Sequence, residues 1–255
     1  MRKLTTISPV FLITLASLLF FASKNIPENN NRMPIQHGQW TRLLQKHVSE
    51  GKVNYKGLIA DKEILQNYLD LLSANHPNPN NWSRQQQMAY WINAYNAFTV
   101  KLIVDHYPLK SIKDIKKGIP FVNSVWDLKF INIQGKTYDL NNIEHNILRS
   151  EFDDPRIHFA INCASVSCPE LTNQAYEAES LDAQLNEAAR KFFADPEKNK
   201  LQSDKVEISR IFLWFGGDFK KASGDLITYI RQYTDIAIDP NAEIRYLEYD
   251  WNLNE

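Results

Sequence analysis

Ser83-Arg-Gln-Gln-Gln-Met-Ala-Tyr-Trp-Ile-Asn-Ala-Tyr-Asn-Ala-Phe-Thr-Val-Lys-Leu-Ile-Val-Asp-His-Tyr-Pro108 is the stretch on which the architecture turns. Gln86 follows Ser83 by three residues, the spacing of a capping box, in which side chains satisfy orphan backbone donors at a helix start. Pro108 disfavours continuation at the other end. The pattern therefore predicts a helix from about residue 84 to 107. Its apolar residues (Met88, Trp91, Ile92, Tyr95, Phe98, Leu102 and Ile103) cover more than one narrow stripe, so the helix is expected to be central and largely buried. Asn93 and Asn96 share one face of it, and a buried amide without partners costs ~1–3 kcal/mol. Either these amides hold a substrate or the cysteine-bearing loop downstream, or they tie down loop backbone away from any site.

Working outward, residues 39–49 and 64–72 read as two helices around the open turn Gly51-Lys-Val-Asn-Tyr55. After Pro108 the periodicity changes. Residues 121–126 and 128–133 are rich in strand formers, and Gln134-Gly135 offers a turn into Lys136-Thr-Tyr-Asp-Leu140, which reads as a β-hairpin. A short helix is expected over 142–148, a strand over Arg156-Ile-His-Phe-Ala-Ile161 and an amphipathic helix over 180–193. A strand over 206–209, a helix over 224–233 and a closing strand over 243–248 complete the reading. Helices first and hairpins later suit a single α+β domain with N-terminal helices, a central buried helix and a small, mostly antiparallel sheet.

The chain opens on Met1-Arg2-Lys3 and the apolar run Ile7 to Ala22 (ISPVFLITLASLLFFA). A basic start before a short apolar segment is what an export signal looks like, and the run is shorter than the ~20 residues of a comfortable membrane span. Phe20 is bulky where cleavage prefers a small residue, so residues 1–23 are either a signal peptide or an uncleaved anchor to the inner membrane. Residues 24–34 are too polar to fold and read as a linker; residues 35–255 form one globular domain. The expected location is the periplasm or cell surface, with membrane contact only through the N-terminal segment. With 29 basic and 30 acidic residues interspersed, the charge balance gives no argument for nucleic acid.

Chemistry concentrates in Asp153-Asp-Pro-Arg-Ile-His-Phe-Ala-Ile-Asn-Cys-Ala-Ser-Val-Ser-Cys-Pro169, which holds His158 and both cysteines, Cys163 and Cys168. Just upstream, Glu144 and His145 add a carboxylate and a second imidazole. A thiol nucleophile needs a base and a group that orients the base, and these residues supply all three types. On an extended strand His158 and Cys163 would lie about 16 Å apart, so either Cys168 folds back to an imidazole or Cys163 meets His145. The competing readings are a Cys163–Cys168 disulfide, which an oxidising compartment favours, and Glu144 as the far half of a capping box begun by Asn141. A metal site from Glu144, His145, His158 and the cysteines has suitable ligand types, but C-x4-C with dispersed histidines is not a tight zinc signature, so no metal is assigned. Trp214-Phe-Gly-Gly-Asp-Phe219 reads as a plain turn. Without a Walker loop, Rossmann fingerprint, G-x-S-x-G or H-E-x-x-H sequence, no cofactor is expected.

From about Trp40 to Leu253 the chain resembles the domain of unknown function 547 family. The resemblance is carried by Gly51-Lys-Val-Asn-Tyr-Lys-Gly57, Tyr90-Trp-Ile-Asn-Ala-Tyr-Asn-Ala97, Tyr138-Asp-Leu-Asn-Asn-Ile-Glu-His145 with Leu148-Arg149, Asp154-Pro-Arg-Ile-His-Phe-Ala-Ile-Asn-Cys163, Ser167-Cys-Pro169 and Tyr249-Asp-Trp-Asn-Leu253. It implies that Glu144, His145, His158, Cys163 and Cys168 belong to the family's motif set. Similar chains usually carry glycine after the first cysteine; Ala164 stands here and would be strained at positive φ. A permuted papain-like arrangement is a fold-level analogy, since the base would precede the nucleophile. The leading expectation is a cysteine-dependent hydrolase or acyl-transferase acting on an amide or ester in a peptide-like or envelope substrate. The alternatives are a non-catalytic envelope binding module with a Cys163–Cys168 disulfide and a metal-dependent enzyme using the same residues.

Overall fold

The computed structural model describes residues 33–115 and 124–255. The expected export segment, most of the linker and residues 121–123 of the first expected strand lie outside the described residues. Among the described residues no helix is long and apolar enough to cross a membrane.

Helix α1 (Gly38–His47) leads through a two-strand ribbon, β1 (Val48–Ser49) and β2 (Lys52–Val53), into α2 (Tyr55–Ala60) and α3 (Lys62–Ala74). Gly57 lies in α2 because a Cβ there would come within 2.5 Å of His47 Nδ1 and 2.8 Å of Asn54 Nδ2. The central helix α4 runs Arg84–His106. The Ser83 Oγ accepts from the Gln86 N–H at 3.1 Å and the Ser83 N–H donates to Gln86 Oε1 at 2.7 Å, the expected capping box, worth ~1 kcal/mol. Helix α4 is buried from Met88 to Val100 without interruption, Asn93 and Asn96 included, and packs against α2 and α3.

The hairpin is present but shorter than expected. Strands β3 (Ile131–Ile133) and β4 (Lys136–Tyr138) pair antiparallel, and Gln134 (φ +46°) and Gly135 (φ +77°) make the turn, which needs positive φ to match the strand twist. Val125–Asp127 is a 3-10 turn rather than strand, because the Asp127 carboxylate accepts from the Ser124 N–H (2.9 Å) and Oγ (2.6 Å). Beyond the hairpin, Asn142–Arg149 winds as a π-helix continued by α5 (Ser150–Phe152).

The strand expected over 156–161 is instead a single helical turn, α6 (Ile157–Ala160). Asp154 Oδ1 accepts from the Arg156 N–H at 3.0 Å, and the N–H groups of Ile157, His158 and Phe159 reach back to the carbonyls of Asp154, Pro155 and Arg156. This local side-chain to backbone bond outcompetes the β preference of the apolar residues. In α6, Ile157 and Ala160 join the first core, around α1–α4, whereas Phe159 enters a second.

The second core is built by α7 (Leu181–Ala194), the sheet of β5 (Asn199–Leu201), β6 (Lys205–Ile208) and β7 (Glu243–Tyr246), and the short helices α8 (Ile211–Trp214), α9 (Gly216–Ser223) and α10 (Leu226–Ile230). Strand β6 pairs antiparallel with β5 and parallel with β7. The small sheets and dominant helices make this an α+β domain. The cysteine-bearing loop runs along the seam between the two cores.

Candidate functional site

A cavity of about 190 Å³ at this seam is lined by Glu144, His145, His158, Cys163 and Cys168, with Trp126, Trp214, Phe215, Tyr249 and Trp251 contributing aromatic walls. All five catalytic candidates read from the sequence thus meet in one place. Asn93 and Asn96 do not line it. Asn93 donates to the Tyr176 carbonyl (2.8 Å) and accepts from the Tyr176 N–H (3.0 Å). Asn96 donates to the Ala160 carbonyl (2.9 Å) and accepts from the Asn162 N–H (2.8 Å). Each amide is buried and bonded to backbone through both its nitrogen and its oxygen, so direct substrate contact gives way to positioning. Asn96 pins the residues immediately before Cys163.

The cysteine loop is a tight elbow. Ala164 has φ +60°, the left-handed conformation that its alanine side chain argued against in the sequence, and is fully buried. Asn162 Oδ1 accepts from the Ala164 N–H at 2.8 Å, and Asn162 donates to the Pro169 carbonyl at 2.7 Å, which closes the loop over both cysteines.

The two sulfurs have different surroundings. Both are free thiols. Cys168 is 5% exposed and its Sγ accepts from the Cys163 N–H at 2.8 Å; burial and the neighbouring Cys163 push its pKa up. Cys163 is half-buried, with Ser165 Oγ at 3.2 Å and Tyr249 Oη at 3.4 Å from its Sγ. Burial works against the Cys163 thiolate, but hydrogen bonding from Cys168, Ser165 and Tyr249 outweighs it and brings the thiol down to about 7. That asymmetry separates two residues the sequence left equal.

Glu144 projects from the π-helix into the cavity wall and accepts from Tyr95 Oη at 3.3 Å. Burial, reinforced by the field of Cys163, raises it to about 7. It is not half of a capping box: the Asn141 side chain makes no cap bond, and Asp139 Oδ1 takes the Asn142 N–H instead, at 2.6 Å.

Among the described residues neither sulfur hydrogen-bonds an imidazole. His158 Nε2 donates to Asp218 Oδ2 at 2.8 Å, its ring stacks on Phe215 (centroids 4.1 Å apart), and its buried Nδ1 has no partner among the described residues. Burial lowers its pKa against the pull of Asp218. Asp218 also accepts from Arg149 Nε (2.7 Å) and Nη2 (2.9 Å). Burial opposes its ionisation, yet His158 and Arg149 hold its carboxyl far below the usual carboxylate range. Arg149 Nη1 in turn donates to His145 Nδ1 at 3.1 Å.

Asp218, Arg149 and Tyr249 were not singled out as site residues in the sequence. Asp218 sits in the Trp214–Phe219 segment read as a turn, but Gly216–Ser223 is a helix, and its first turn delivers the carboxylate. Arg149 and Tyr249 lay within the family-like motifs, and nothing local marks them as partners of His145 and Cys163. Among the described residues no group of three His, Cys, Asp or Glu side chains could hold a metal ion: Asp218 faces Arg149, and His145 Nδ1 faces a cation.

No curated protein and no solved structure matches the chain, which leaves the permuted papain-like arrangement without a counterpart. The family model described as "Protein of unknown function, DUF547" matches residues 79–193, a span that contains α4, the π-helix and the whole cysteine loop. That match covers a little under half of the chain and supports its assignment to the DUF547 family of proteins of unknown function.

Proposed function

We propose that this protein is an exported cysteine-dependent hydrolase or acyl-transferase of the cell envelope, acting on an amide or ester bond, with Cys163 as nucleophile. The observation that carries the reading is a half-buried thiol brought to about 7 in the same cavity as a carboxyl raised to about 7. Catalytic sites bring pKa values toward the working pH in this way. The Cys163 thiolate attacks the carbonyl carbon. As the C–N or C–O bond breaks, the Glu144 carboxyl passes its proton to the departing amine or alcohol, directly or through one water. The Glu144 carboxylate then takes a proton from the incoming water or acceptor, whose oxygen or nitrogen displaces the sulfur from the thioester and restores the thiolate. Glu144 thus takes the proton-carrying role first assigned to an imidazole, and Asp218 rather than Glu144 orients His158. The free thiols favour this reading over a disulfide-bonded binding module.

Alkylation with iodoacetamide at pH 6, with the labelled site mapped by mass spectrometry, tests it. A thiol of pKa about 7 holds about 30-fold more thiolate there than free cysteine of pKa about 8.5. Its lower intrinsic nucleophilicity reduces the advantage to about 6-fold. Cys163 is expected to carry the label and Cys168 none. If neither cysteine outpaces free cysteine, the nucleophile assignment is wrong.

A further inference from the structure

We propose, building on the acyl-transfer reading above, that His145 is the oxyanion donor of this site, a neutral imidazole that offers Nε2–H to the carbonyl oxygen as charge builds on it. Two independent observations lead there.

The first is that the nucleophile's own loop has no donor left to give. Acyl transfer places negative charge on the former carbonyl oxygen, and hydrogen-bond donors aimed at that charge stabilise it. Here the Cys163 N–H is held by Cys168 Sγ (2.8 Å) and the Ala164 N–H by Asn162 Oδ1 (2.8 Å). The Ser165 N–H serves the Cys163 sulfur. The N–H groups of Val166, Ser167 and Cys168 bond the carbonyls of Asn252 (2.9 Å), Asp250 (3.2 Å) and Ser165 (3.1 Å). Asn141, an amide on the cavity wall, donates to Asp127 Oδ1 at 2.6 Å. The loop backbone therefore has no N–H to give, and the donor is a side chain of the wall.

The second is the tautomer of His145. A guanidinium can only donate, so the 3.1 Å contact from Arg149 Nη1 requires a lone pair on Nδ1. The proton of the neutral ring is therefore on Nε2. Arg149 cannot swing away easily, because Asp218 grips it through two nitrogens and is itself tied to His158. The guanidinium also lies 5.1 Å from the centre of the Phe215 ring, on which His158 stacks. Burial and the Arg149 charge lower the His145 pKa, against Asp218 and Asp139, which keeps the ring neutral. A neutral ring with a proton on Nε2 cannot take the thiol's proton at that nitrogen; it can only donate. His145 lines the cavity, is half-buried, and its Nε2 has no partner among the described residues. Arg149 and Asp218 are the positioning residues of this arrangement.

Two probes separate the roles. Iodoacetamide alkylates the thiolate by displacing iodide and builds no oxyanion, whereas p-nitrophenyl acetate acylates it through one. In His145→Ala, acylation is expected to fall about 100- to 1000-fold, the loss seen when one oxyanion donor is removed. Alkylation should stay within twofold of wild type, which also certifies a folded protein with an intact thiolate. His145→Gln, which keeps an N–H donor, should recover part of the acylation rate. Nitrogen NMR of the wild-type His145 ring at pH 7 should show the proton on Nε2. A parallel loss of both rates, an unchanged acylation rate or a proton on Nδ1 overturns the assignment. Failure of the parent reading looks different: the wild type itself would then acylate and alkylate no faster than free cysteine.

Discussion

Replacing Glu144 with glutamine should make the folded protein more stable at neutral pH while removing the proposed proton carrier. The side chain is 7% exposed, and burial raises its carboxyl from 4.5 to about 7. Between those two pH values the unfolded chain has released this proton and the folded chain has kept it. The unfolded state then binds fewer protons, so stability falls as pH rises, by about 1.4 kcal/mol per pH unit from this group. The slope ends near pH 7, where the folded carboxyl also ionises, and the accumulated cost is about 3 kcal/mol. Glutamine does not titrate and can still accept the hydrogen bond from Tyr95, but its buried amide N–H group costs about 1 kcal/mol if unpaired. Glu144→Gln is therefore expected to be about 2 kcal/mol more stable than wild type at pH 8, and equal or slightly less stable at pH 4.5. Urea unfolding followed by tryptophan fluorescence at pH 4.5, 6 and 8 measures both; at pH 8 a melting-temperature gain of about 5 °C should accompany it. A difference that stays constant across this range would refute the claim that the Glu144 carboxyl titrates near 7. At pH 6 the folded Glu144 carboxyl is already mostly protonated, so Cys163 alkylation there should change little in Glu144→Gln even as the proposed turnover is lost.

Three further outcomes follow from the same geometry. Asn96→Ala leaves the Ala160 carbonyl and the Asn162 N–H unpaired in the core; a loss of about 2–4 kcal/mol in urea unfolding is expected, with slower Cys163 alkylation although Asn96 does not touch the cavity. Ala164→Gly should change stability by less than about 1 kcal/mol, because relief of the left-handed conformation (about 1–2 kcal/mol) is offset by glycine's extra unfolded entropy and the lost buried methyl. Ala164→Val, branched at φ +60° in a fully buried site, should lose more than about 2 kcal/mol, and equal stability of the two variants would contradict the elbow. Asp218→Asn should cost about 1–3 kcal/mol at pH 7, since Arg149 and His158 lose their carboxylate. The folded pKa of Asp218 is depressed, so its contribution is full above the unfolded value near 3.9 and is lost as pH falls through the folded one. The gap between Asp218→Asn and wild type in urea unfolding should accordingly narrow below pH 4.

What the sequence by itself determined about this protein lies within a few residues of its own cause. The capping box at Ser83, the stop at Pro108 and the Gln134-Gly135 turn are set by hydrogen bonds and steric limits spanning at most four residues. Such interactions can be read from spacing alone. The same locality misled at residues 156–161, where apolar β-formers suggested a strand and the Asp154 side chain imposed a helical turn. The difference between the Cys163 and Cys168 thiols exists only in the tertiary structure, because a thiol's pKa depends on what surrounds it, and Tyr249 arrives from 86 residues away. Asp218 reaches His158 across 60 residues, and its grip on Arg149 determines which nitrogen of His145 carries the proton. Residue types near one another in the chain announced that chemistry was present. Protonation states and roles came from burial and from partners that only folding brings together.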